Sequence, residues 1–471
     1  MAEPDVVHAS APPPDAPSRQ EGEGLVTAAL VEAVSETIRI GDAERLRSLV
    51  GHLHEADLGE LLQALDEDLR PSLIELLGSH FHFAALTEVD EAIRLSLLEA
   101  LPTDTIVDGL RELDSDDAIY ILEDLEDEDR KTILERLPLP ERAQLTRGLD
   151  FPEESAGRLM QTDFVAVPPF WTVGRTIDYL REMKDAPETF YAVYVIDPVF
   201  KLLGTVPLHK LLRSPRDARL ESVLDEDVRA VRATEDREEV GRLFQRYNLV
   251  SAAVTDDAGR LVGVLTIDDI VDVIHEEADE DLKALGGVMG DEELSDTVMQ
   301  TARSRFPWLF VNLGTAFLAA AVIGVFEGTI KQMVALAILM PIVASMGGNA
   351  ATQAMTVTVR ALATRELGTR NTQRVVLREV LVGLVNGSAL AVFLGVGAGL
   401  WFRDYELGAV ISSALTINMI VAGLFGTLVP ITINRLKLDP AVASAVFVTT
   451  TTDVIGFFAF LGIATWWFGL G

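Results

Sequence analysis

The amino-acid sequence predicts a multi-domain fold: an all-α superhelical N-domain, an α/β tandem pair of modules and a five-helix α transmembrane domain. Residues 25–150 contain a repeated pattern of amphipathic helices. In residues 155–276 the same order of strands and helices occurs twice, and residues 303–471 contain five apolar stretches. Charge divides the chain in the same way. Residues 1–302 hold 28 Lys+Arg and 66 Asp+Glu, a net charge of −38, whereas residues 303–471 hold 11 and 7, a net charge of +4.

Composition restricts the classes of partner and chemistry. The first half of the chain is too acidic to bind nucleic acid, which needs Lys and Arg against phosphate, but it would attract cations. The chain has no cysteine, which excludes disulfides and thiolate chemistry. Residues 1–22 are rich in Pro and Ala and lack the basic and apolar segments of a signal peptide, so we expect a disordered tail. No segment indicates an obligate protein partner.

Residues 25–150 contain an internal repeat of helices. Asp57–Leu77 aligns without gaps on Asp117–Leu137, and a partial copy lies between them at Leu86–Leu101. The apolar positions recur every three or four residues, as in amphipathic helices. Repeated helix pairs predict a small, acidic superhelical N-domain.

Residues 155–276 contain two similar α/β units, at about 155–216 and 220–276. Each has strand, helix and strand signals, and a hairpin turn is predicted at residues 256–260. The second unit carries Gly263, Thr266 and Asp269 in a G-x-x-T-x-x-D pattern.

These two units resemble a tandem pair of CBS modules, which usually sense adenosine nucleotides or ions. The resemblance implies that Thr266 and Asp269 bind nucleotide, with ATP as the ligand. The first unit departs from the family pattern, because Lys210 stands where an acid often binds the ribose.

An acidic helix leads from the modules to the apolar half. Residues 268–285 have no helix-breaking residue and alternate apolar with acidic positions, which predicts one long helix. Glycines at 286, 287 and 290 and an acidic stretch follow, and they predict a linker. We assign residues 268–302 to this helix and its linker.

Five stretches in the last third are long enough to span a bilayer at about 20 residues each. They are predicted at residues 307–327, 333–358, 376–402, 407–433 and 441–469. Arg and Lys gather before the first span and in the loops after the second and fourth, which places those loops and the N-terminus in the cytoplasm. Five spans then put the C-terminus outside a plasma (inner) membrane that the chain crosses several times.

Asp453 is an acid in the last apolar stretch. A carboxylate near the centre of a bilayer costs about 2.5–3.5 kcal/mol on insertion scales, so it should face a partner or a wet path. Thr449 to Thr452 add hydroxyls beside it, and Gly456 suggests an interrupted helix with accessible carbonyls. A hydrogen bond that packs helices together is the alternative role.

Gly347, Gly348 and Asn349 interrupt the second apolar stretch with small and polar residues. Bare backbone at Gly347 and Gly348 leaves room for a bulky ligand, although close helix packing also uses glycine. Mg²⁺ prefers oxygen ligands and keeps its waters, so a pore with one carboxylate per chain fits the hydrated ion. Soft metals would need His or Cys, and the five spans contain neither.

The segments 341–367 (PIVASMGGNAATQAMTVTVRALATREL) and 438–457 (LDPAVASAVFVTTTTDVIGF), after the acidic helices and the paired modules, closely resemble the MgtE family of magnesium channels. The resemblance covers nearly the whole chain beyond residue 25. It implies a homodimer in the lipid bilayer with a pore on the two-fold axis. It also implies that Asp453 selects hydrated Mg²⁺, with backbone contacts at the positions of Ala445 and Thr449.

The resemblance further implies that cytosolic Mg²⁺ binds between the N-domain, the CBS pair and the connecting helix and closes the pore. Mg²⁺ would thus be both transported and regulatory. The residues that match the family's regulatory sites are Asp116, Glu238, Asp269, Glu277, Glu280, Asp281 and Asp439. Tyr120 and Asn248 stand where other members can have acids, which predicts fewer regulatory ions.

Two other functions are consistent with the sequence. A divalent cation transporter coupled to H⁺ or Na⁺ could use Asp453 as a proton relay. Such transporters often contain stacked inverted repeats, and five spans do not divide into them. A membrane-anchored nucleotide sensor would leave Asp453 unexplained. An enzyme is not predicted, because the sequence shows neither a nucleophile–base pair nor a phosphate-binding loop.

Overall fold

The structure is a computed structural model. It describes residues 26–183, 187, 189–225, 227–288, 292, 297–368 and 371–470, apart from the side chains of residues 442 and 443. The predicted tail at residues 1–22 lies outside the described residues. The chain divides into two compact units, Met1–Val273 and Ile274–Gly471.

The N-domain of the first unit is built from short helices around one apolar core. Two 3₁₀ turns, Gly78–His80 and Phe83–Leu86, separate its two halves. The α-helices are α1 (Ala28–Ile40), α2 (Ala43–Val50), α3 (Glu55–Ala64), α4 (Arg70–Leu77), α5 (Glu91–Ala100), α6 (Thr103–Leu110), α7 (Ser115–Glu123), α8 (Asp127–Arg136) and α9 (Leu139–Leu149). The pair α3–α4 corresponds to the pair α7–α8, which confirms the repeat of helix pairs.

Arginine side chains mark the copies of this repeat. Arg70 donates from Nε to the carbonyls of Leu62 (3.0 Å) and Leu65 (3.1 Å). Arg94 donates from Nη1 to Leu86 (3.3 Å) and Val89 (3.0 Å), which lie at the same offsets of eight and five residues. The middle copy is therefore a structural repeat, because its arginine closes the same turn.

Two three-stranded sheets form the tandem modules. Their elements are β1 (Ala166–Val167), α10 (Val173–Glu182), β2 (Ala192–Ile196), β3 (Leu202–Pro207), α11 (Leu208–Arg213), α12 (Leu220–Val223), β4 (Val231–Arg232), α13 (Arg237–Tyr247), β5 (Ser251–Thr255) and β6 (Leu261–Thr266). The strand orders are β1-β2-β3 and β4-β5-β6, and in each sheet the first pair is parallel and the second antiparallel. The predicted duplication is confirmed by this shared topology.

A long helix, α14 (Ile267–Leu285), follows the second sheet. It matches the acidic helix that the sequence predicts. Its first residues belong to the first compact unit, and its remainder belongs to the second.

Among the residues that the structure describes, the second unit contains five helices that are long and apolar enough to cross a membrane, as the sequence predicts. The helices after α14 are α15 (Val298–Val325), the short α16 (Glu327–Gln332), α17 (Ala335–Ala363), α18 (Thr372–Phe402), α19 (Tyr405–Arg435) and α20 (Pro440–Phe468). The helix α19 is the most buried of the five and packs against α17, α18 and α20.

The third membrane helix begins earlier than the sequence suggests. It starts at Thr372 and takes in Arg378 and Glu379, which form an ion pair of 2.8 Å between Nη2 and Oε1. Glu379, which the predicted span 376–402 already contains, is thus an acid in a membrane helix that differs from Asp453 in having a basic partner.

Candidate functional site

Asp453 lies in the middle of α20 and is half-buried. Among the residues that the structure describes, no hydrogen bond or ion pair engages its carboxylate. The helix begins at Pro440, and the side chain of Asp439 just before it accepts a hydrogen bond of 2.7 Å from the backbone N–H of Ala441. This cap is the usual means of starting a helix, and it places Asp453 about four turns further on.

The threonines before Asp453 bond to their own helix. The hydroxyls of Thr450 and Thr451 donate to carbonyls four residues back, at 2.6 and 2.8 Å. Thr452 donates to the carbonyl of Thr449 at 2.9 Å. The prediction of an interrupted helix here is wrong: α20 is continuous through Gly456, so the carbonyls of Ala445 and Thr449 lie within a regular helix.

Gly347 packs against the side chain of Asn418, a neighbour that the sequence does not predict. A Cβ at Gly347 would lie 2.1 Å from Nδ2 of Asn418 on α19, so this glycine makes room for an amide of the same chain. Close packing within the chain thus accounts for Gly347, and its predicted place beside an ion remains a prediction. At Gly348 a Cβ would meet nothing within 4 Å, and Asn349 is exposed, so these two residues remain candidates for the pathway.

Ala445 and Thr449 lie two turns and one turn before Asp453 on α20. Ala445 is half-buried and Thr449 is exposed. The side of α20 that carries Thr449 is thus open in the single chain.

A second group of acids forms in the first unit, where α7 meets the start of α14. Asp116 is only 8% exposed, and its Oδ1 has no hydrogen-bond partner among the described residues. Asp269 accepts a hydrogen bond of 2.5 Å from the hydroxyl of Thr266. We call Asp114, Asp116, Asp117, Glu55, Glu88, Asp269 and Asp272 the acidic cluster, because their charges act on one another.

Burial and mutual repulsion raise the pKa values of this cluster. Burial, and then the charge of Asp269, raise the pKa of Asp117 to about 7 and that of Asp116 well above its ordinary range. Burial is also the largest cause that raises the pKa of Asp269 to about 6. A divalent cation would relieve this repulsion. Within the described ranges, however, no three acidic or histidine side chains converge closely enough to ligate one metal ion directly.

The other predicted regulatory residues lie outside the acidic cluster, and one of them is already paired with an arginine. Glu238 is held by Arg242 within α13, with 3.0 Å between Nη2 and Oε2, because the two are one turn apart. Glu277, Glu280 and Asp281 are half-buried and follow one another along α14. Asp439 is exposed and caps α20. Their roles as regulatory ligands remain predictions.

The predicted nucleotide-binding pair is engaged internally. Thr266 is buried and donates to Asp269, as described above. The cleft beside Thr266, which Asp163 and Tyr194 also line, has a volume of only about 10 Å³. Such a space holds about one water molecule, so this geometry does not favour ATP at Thr266.

Sequence reasoning missed two parts of these sites. Asn418 is a buried amide inside the fourth apolar stretch, and the reasoning that selected Asp453 could have selected it too. Asp117, Glu88 and Asp272 join the acidic cluster only through tertiary contacts, and a surface acid has no sequence signal that predicts such a neighbour.

The membrane helices with their unpaired acid, joined to an acidic helical domain and paired α/β modules, define a membrane transporter of cations. Residues 340–463 match the family described as divalent cation transporter, MgtE. Residues 53–154 match the MgtE intracellular N domain, and residues 220–276 match the CBS domain. The chain belongs to the MgtE family of magnesium transporters, as the sequence resemblance predicts.

Relatives match the chain over nearly its whole length. The magnesium transporter MgtE of Enterococcus faecalis is 34% identical over 433 residues, which cover 91% of this chain and 95% of the relative. That of Thermus thermophilus is 32% identical over 451 residues, covering 92% and 98%. That of Bacillus subtilis is 29% identical over 428 residues, covering 91% and 95%.

Solved structures match the soluble part of the chain. The soluble part of a magnesium transporter is 28% identical, with a TM-score of 0.47, and the match covers 53% of this chain and 98% of that structure. The cytosolic domain of the Mg²⁺ channel MgtE in complex with ATP is 30% identical, with a TM-score of 0.49, covering 52% and 99%.

Proposed function

We propose that this chain is a Mg²⁺-selective channel of the plasma membrane that works as a homodimer and is closed by cytosolic Mg²⁺. The observation that carries the proposal is the half-buried Asp453 carboxylate, which no described residue pairs. An unpaired acid in a membrane helix is costly unless it faces water or a cation. Two such helices on a two-fold axis would offer two negative charges to one divalent ion.

The ion would keep its first shell of water in this pathway. Mg²⁺ loses water reluctantly, and α20 offers one carboxylate per chain rather than a cage of ligands. The carbonyls of Ala445 and Thr449 are in a regular helix, so they can accept hydrogen bonds from bound water but are poorly placed to replace it. Gly348 and Asn349 on α17 are proposed as the facing wall.

Closure by cytosolic Mg²⁺ is supported by the acidic cluster. Carboxylates from the N-domain and from α14 repel one another, and their raised pKa values reflect the cost of bringing them together. Mg²⁺ between them would stabilise the contact through its charge and its bound water. A higher cytosolic Mg²⁺ concentration then favours the docked arrangement, which we propose is the closed state.

The proposed orientation is supported by the basic residues at the ends of the membrane helices. Arg303 and Arg305 lie in the first turns of α15. Arg360 lies in the last turn of α17, and Arg435 is the last residue of α19. All four then lie on the cytoplasmic side, with the soluble domains, and the C-terminal end of α20 lies outside.

The central test is Mg²⁺ flux into proteoliposomes. The variant Asp453→Asn removes about 3 kcal/mol of attraction for the ion, which corresponds to about a hundredfold loss of flux at low Mg²⁺. Glu327→Gln is the matched control, because Glu327 is an exposed acid on α16 that pairs with Lys331. Wild-type flux through Asp453→Asn would reject the pore assignment.

The same vesicles separate a channel from a coupled transporter. Flux through a channel follows the Mg²⁺ gradient and the membrane potential, and an imposed pH or Na⁺ gradient at constant potential leaves it unchanged. A flux that such a gradient drives against the Mg²⁺ gradient would favour the H⁺- or Na⁺-coupled transporter instead.

Gating is tested by deletion of residues 1–150. Flux through the shortened chain should be less inhibited by millimolar Mg²⁺ on the cytoplasmic side. Full inhibition without the N-domain would show that this domain is not part of the gate.

A further inference from the structure

Asn418 is a buried amide at the centre of the membrane unit. It lies in the middle of α19, and none of its surface is exposed. Its Nδ2 donates a hydrogen bond of 2.9 Å to the carbonyl of Val343 on α17. Its Oδ1 is buried without a hydrogen-bond partner among the described residues. Polar side chains of this kind are expensive in a membrane helix, so its place needs a reason beyond filling space.

Two glycines on two other helices make room for this amide. A Cβ at Gly347 of α17 would lie 2.1 Å from Nδ2 of Asn418, and a Cβ at Gly456 of α20 would lie 2.6 Å from the same atom. At distances below 3.0 Å something must shift, and at both glycines the atoms in the way belong to the buried amide of Asn418. The amide of Asn418 therefore occupies the space that side chains at 347 and 456 would take, and it touches both backbones.

These contacts lie beside the residues of the proposed pathway. Gly347 is followed directly by Gly348 and Asn349, and Gly456 comes one helical turn after Asp453. A change in the distance from α19 to either glycine would therefore move one wall of the pathway relative to the other.

We propose that Asn418 is a positioning residue of the ion pathway: its amide fixes α17 at Gly347 and α20 at Gly456 at one spacing. The inference rests on the proposed role of Asp453 and deepens it. The hydrogen bond to Val343 holds the amide in one orientation, so the spacing is set by a bonded group rather than by a freely rotating one. An apolar side chain of equal size would fill the volume without this constraint.

Ion discrimination is the readout that separates positioning from simple packing. Mg²⁺ and Ca²⁺ differ in size and in how readily they lose water, so their flux ratio depends on the width of the pathway. Asn418→Leu keeps the volume and removes the hydrogen bond, and Asn418→Ala removes both. We expect each to lower the Mg²⁺/Ca²⁺ flux ratio by about tenfold, since small displacements at a pre-organised site have effects of that order or larger.

A role in packing alone would lower the amount of folded protein and the flux of both ions together, with an unchanged ratio. That outcome in folded protein would overturn the proposal. If Asn418→Ala does not fold, Asn418→Ser provides the same comparison with a smaller cavity and a hydroxyl that can still donate.

The contact itself is tested by a double-mutant cycle on thermal unfolding of the full chain in detergent. Gly347→Ala should lower the Tm strongly when Asn418 is present and much less in the Asn418→Ala background, where the clash is gone. Gly397→Ala is the matched control, because a Cβ at this glycine of α18 meets nothing within 4 Å. Equal losses at Gly347 in both backgrounds would overturn the proposal.

These measurements separate failure of the inference from failure of the proposed function. If Asp453→Asn transports normally, the pore assignment fails whatever Asn418 does. If Asp453→Asn is inactive while the Asn418 variants keep the wild-type flux ratio, the pore assignment stands and the positioning role of Asn418 is rejected.

Discussion

The two ends of α7 place the same kind of side chain in opposite surroundings. At the C-terminal end, Asp124 pairs with Arg94 at 2.6 Å, and Glu123 lies 3.4 Å from Arg158. At the N-terminal end, the charges that act most on Asp116 are those of three other acids, Asp269 first. One short helix thus carries acids with built-in cations at one end and acids facing acids at the other.

This contrast indicates where an added cation would bind. An acid such as Asp124, which accepts a hydrogen bond of 2.6 Å from Arg94, is satisfied within the chain, and removal of the partner is the costly step. Acids that face each other gain from an ion supplied by the solution, so their contact depends on its concentration.

The largest effect is expected at the paired end. Arg94 is 2% exposed and also donates to two backbone carbonyls. Arg94→Ala should lower the free energy of unfolding by about 3–5 kcal/mol, because it leaves Asp124 buried without its partner. Urea unfolding of the variant with and without Mg²⁺ measures this loss, which should be the same in both. If Mg²⁺ restored the stability that Arg94→Ala loses, the two ends of α7 would not differ in their need for an added cation.

A smaller change in stability, of opposite sign, is expected at the N-terminal end of α7. Asp116→Asn keeps the shape and removes a buried charge, so in EDTA it should stabilise the first unit by about 1–3 kcal/mol. The same change should reduce the rise in Tm that Mg²⁺ produces, since less repulsion remains to be relieved. This account of the acidic cluster would be contradicted if Asp116→Asn destabilised the protein in EDTA. It would also be contradicted if the variant kept the full rise in Tm that Mg²⁺ produces.

The pH dependence of the Tm should distinguish the two ends of α7 only when the Mg²⁺ concentration is also varied. Burial raises the pKa of both Asp117 and Glu123 to about 7. Each folded carboxyl holds its proton more tightly than the unfolded one. Its contribution to stability is therefore fully present below the ordinary values of 3.8 and 4.5 and is lost as the pH rises through about 7.

Tm measured from pH 5 to 8 should fall by several degrees in EDTA. Asp117→Asn and Glu123→Gln should each reduce that fall. Mg²⁺ should reduce the share of this fall in Tm that depends on Asp117, which Asp117→Asn also removes. It should leave unchanged the share that depends on Glu123, which Glu123→Gln removes. An equal effect of Mg²⁺ on both parts would mean that the cation does not distinguish the ends of α7.

The smallest effect is expected at the arginine of the third repeat copy. Arg130 pairs with the exposed Asp127 rather than closing the turn as Arg94 does. Arg130→Ala should change the free energy of unfolding by about 0.5 kcal/mol, the usual size for a pair near the surface. A loss as large as that of Arg94→Ala would show that the two copies depend equally on their arginines.

Periodic features were predictable from the sequence because they depend on local spacing. The helix repeat, the duplicated sheets and the five membrane helices follow from apolar periods and from stretches near 20 residues long. Asp453 was predictable because a charge in an apolar stretch stands out. These signals need no knowledge of which segments meet in space.

The features that were missed or misjudged depend on such meetings. Gly456 suggests a break in α20, but it serves close packing with Asn418, and the helix runs through it. Gly347 likewise packs closely against Asn418. The acidic cluster joins residues far apart in the chain, such as Asp117 and Asp269, and no spacing rule connects them.

The shared volume at Asn418 has a consequence for sequence variation. Residues 347, 418 and 456 fill one space between three helices, so a change at one position alters what the other two tolerate. A larger residue at 347 or 456 should be accompanied by a smaller one at 418. The three positions should therefore covary among homologous chains, and a laboratory selection that starts from Gly347→Ala should recover second-site substitutions at 418.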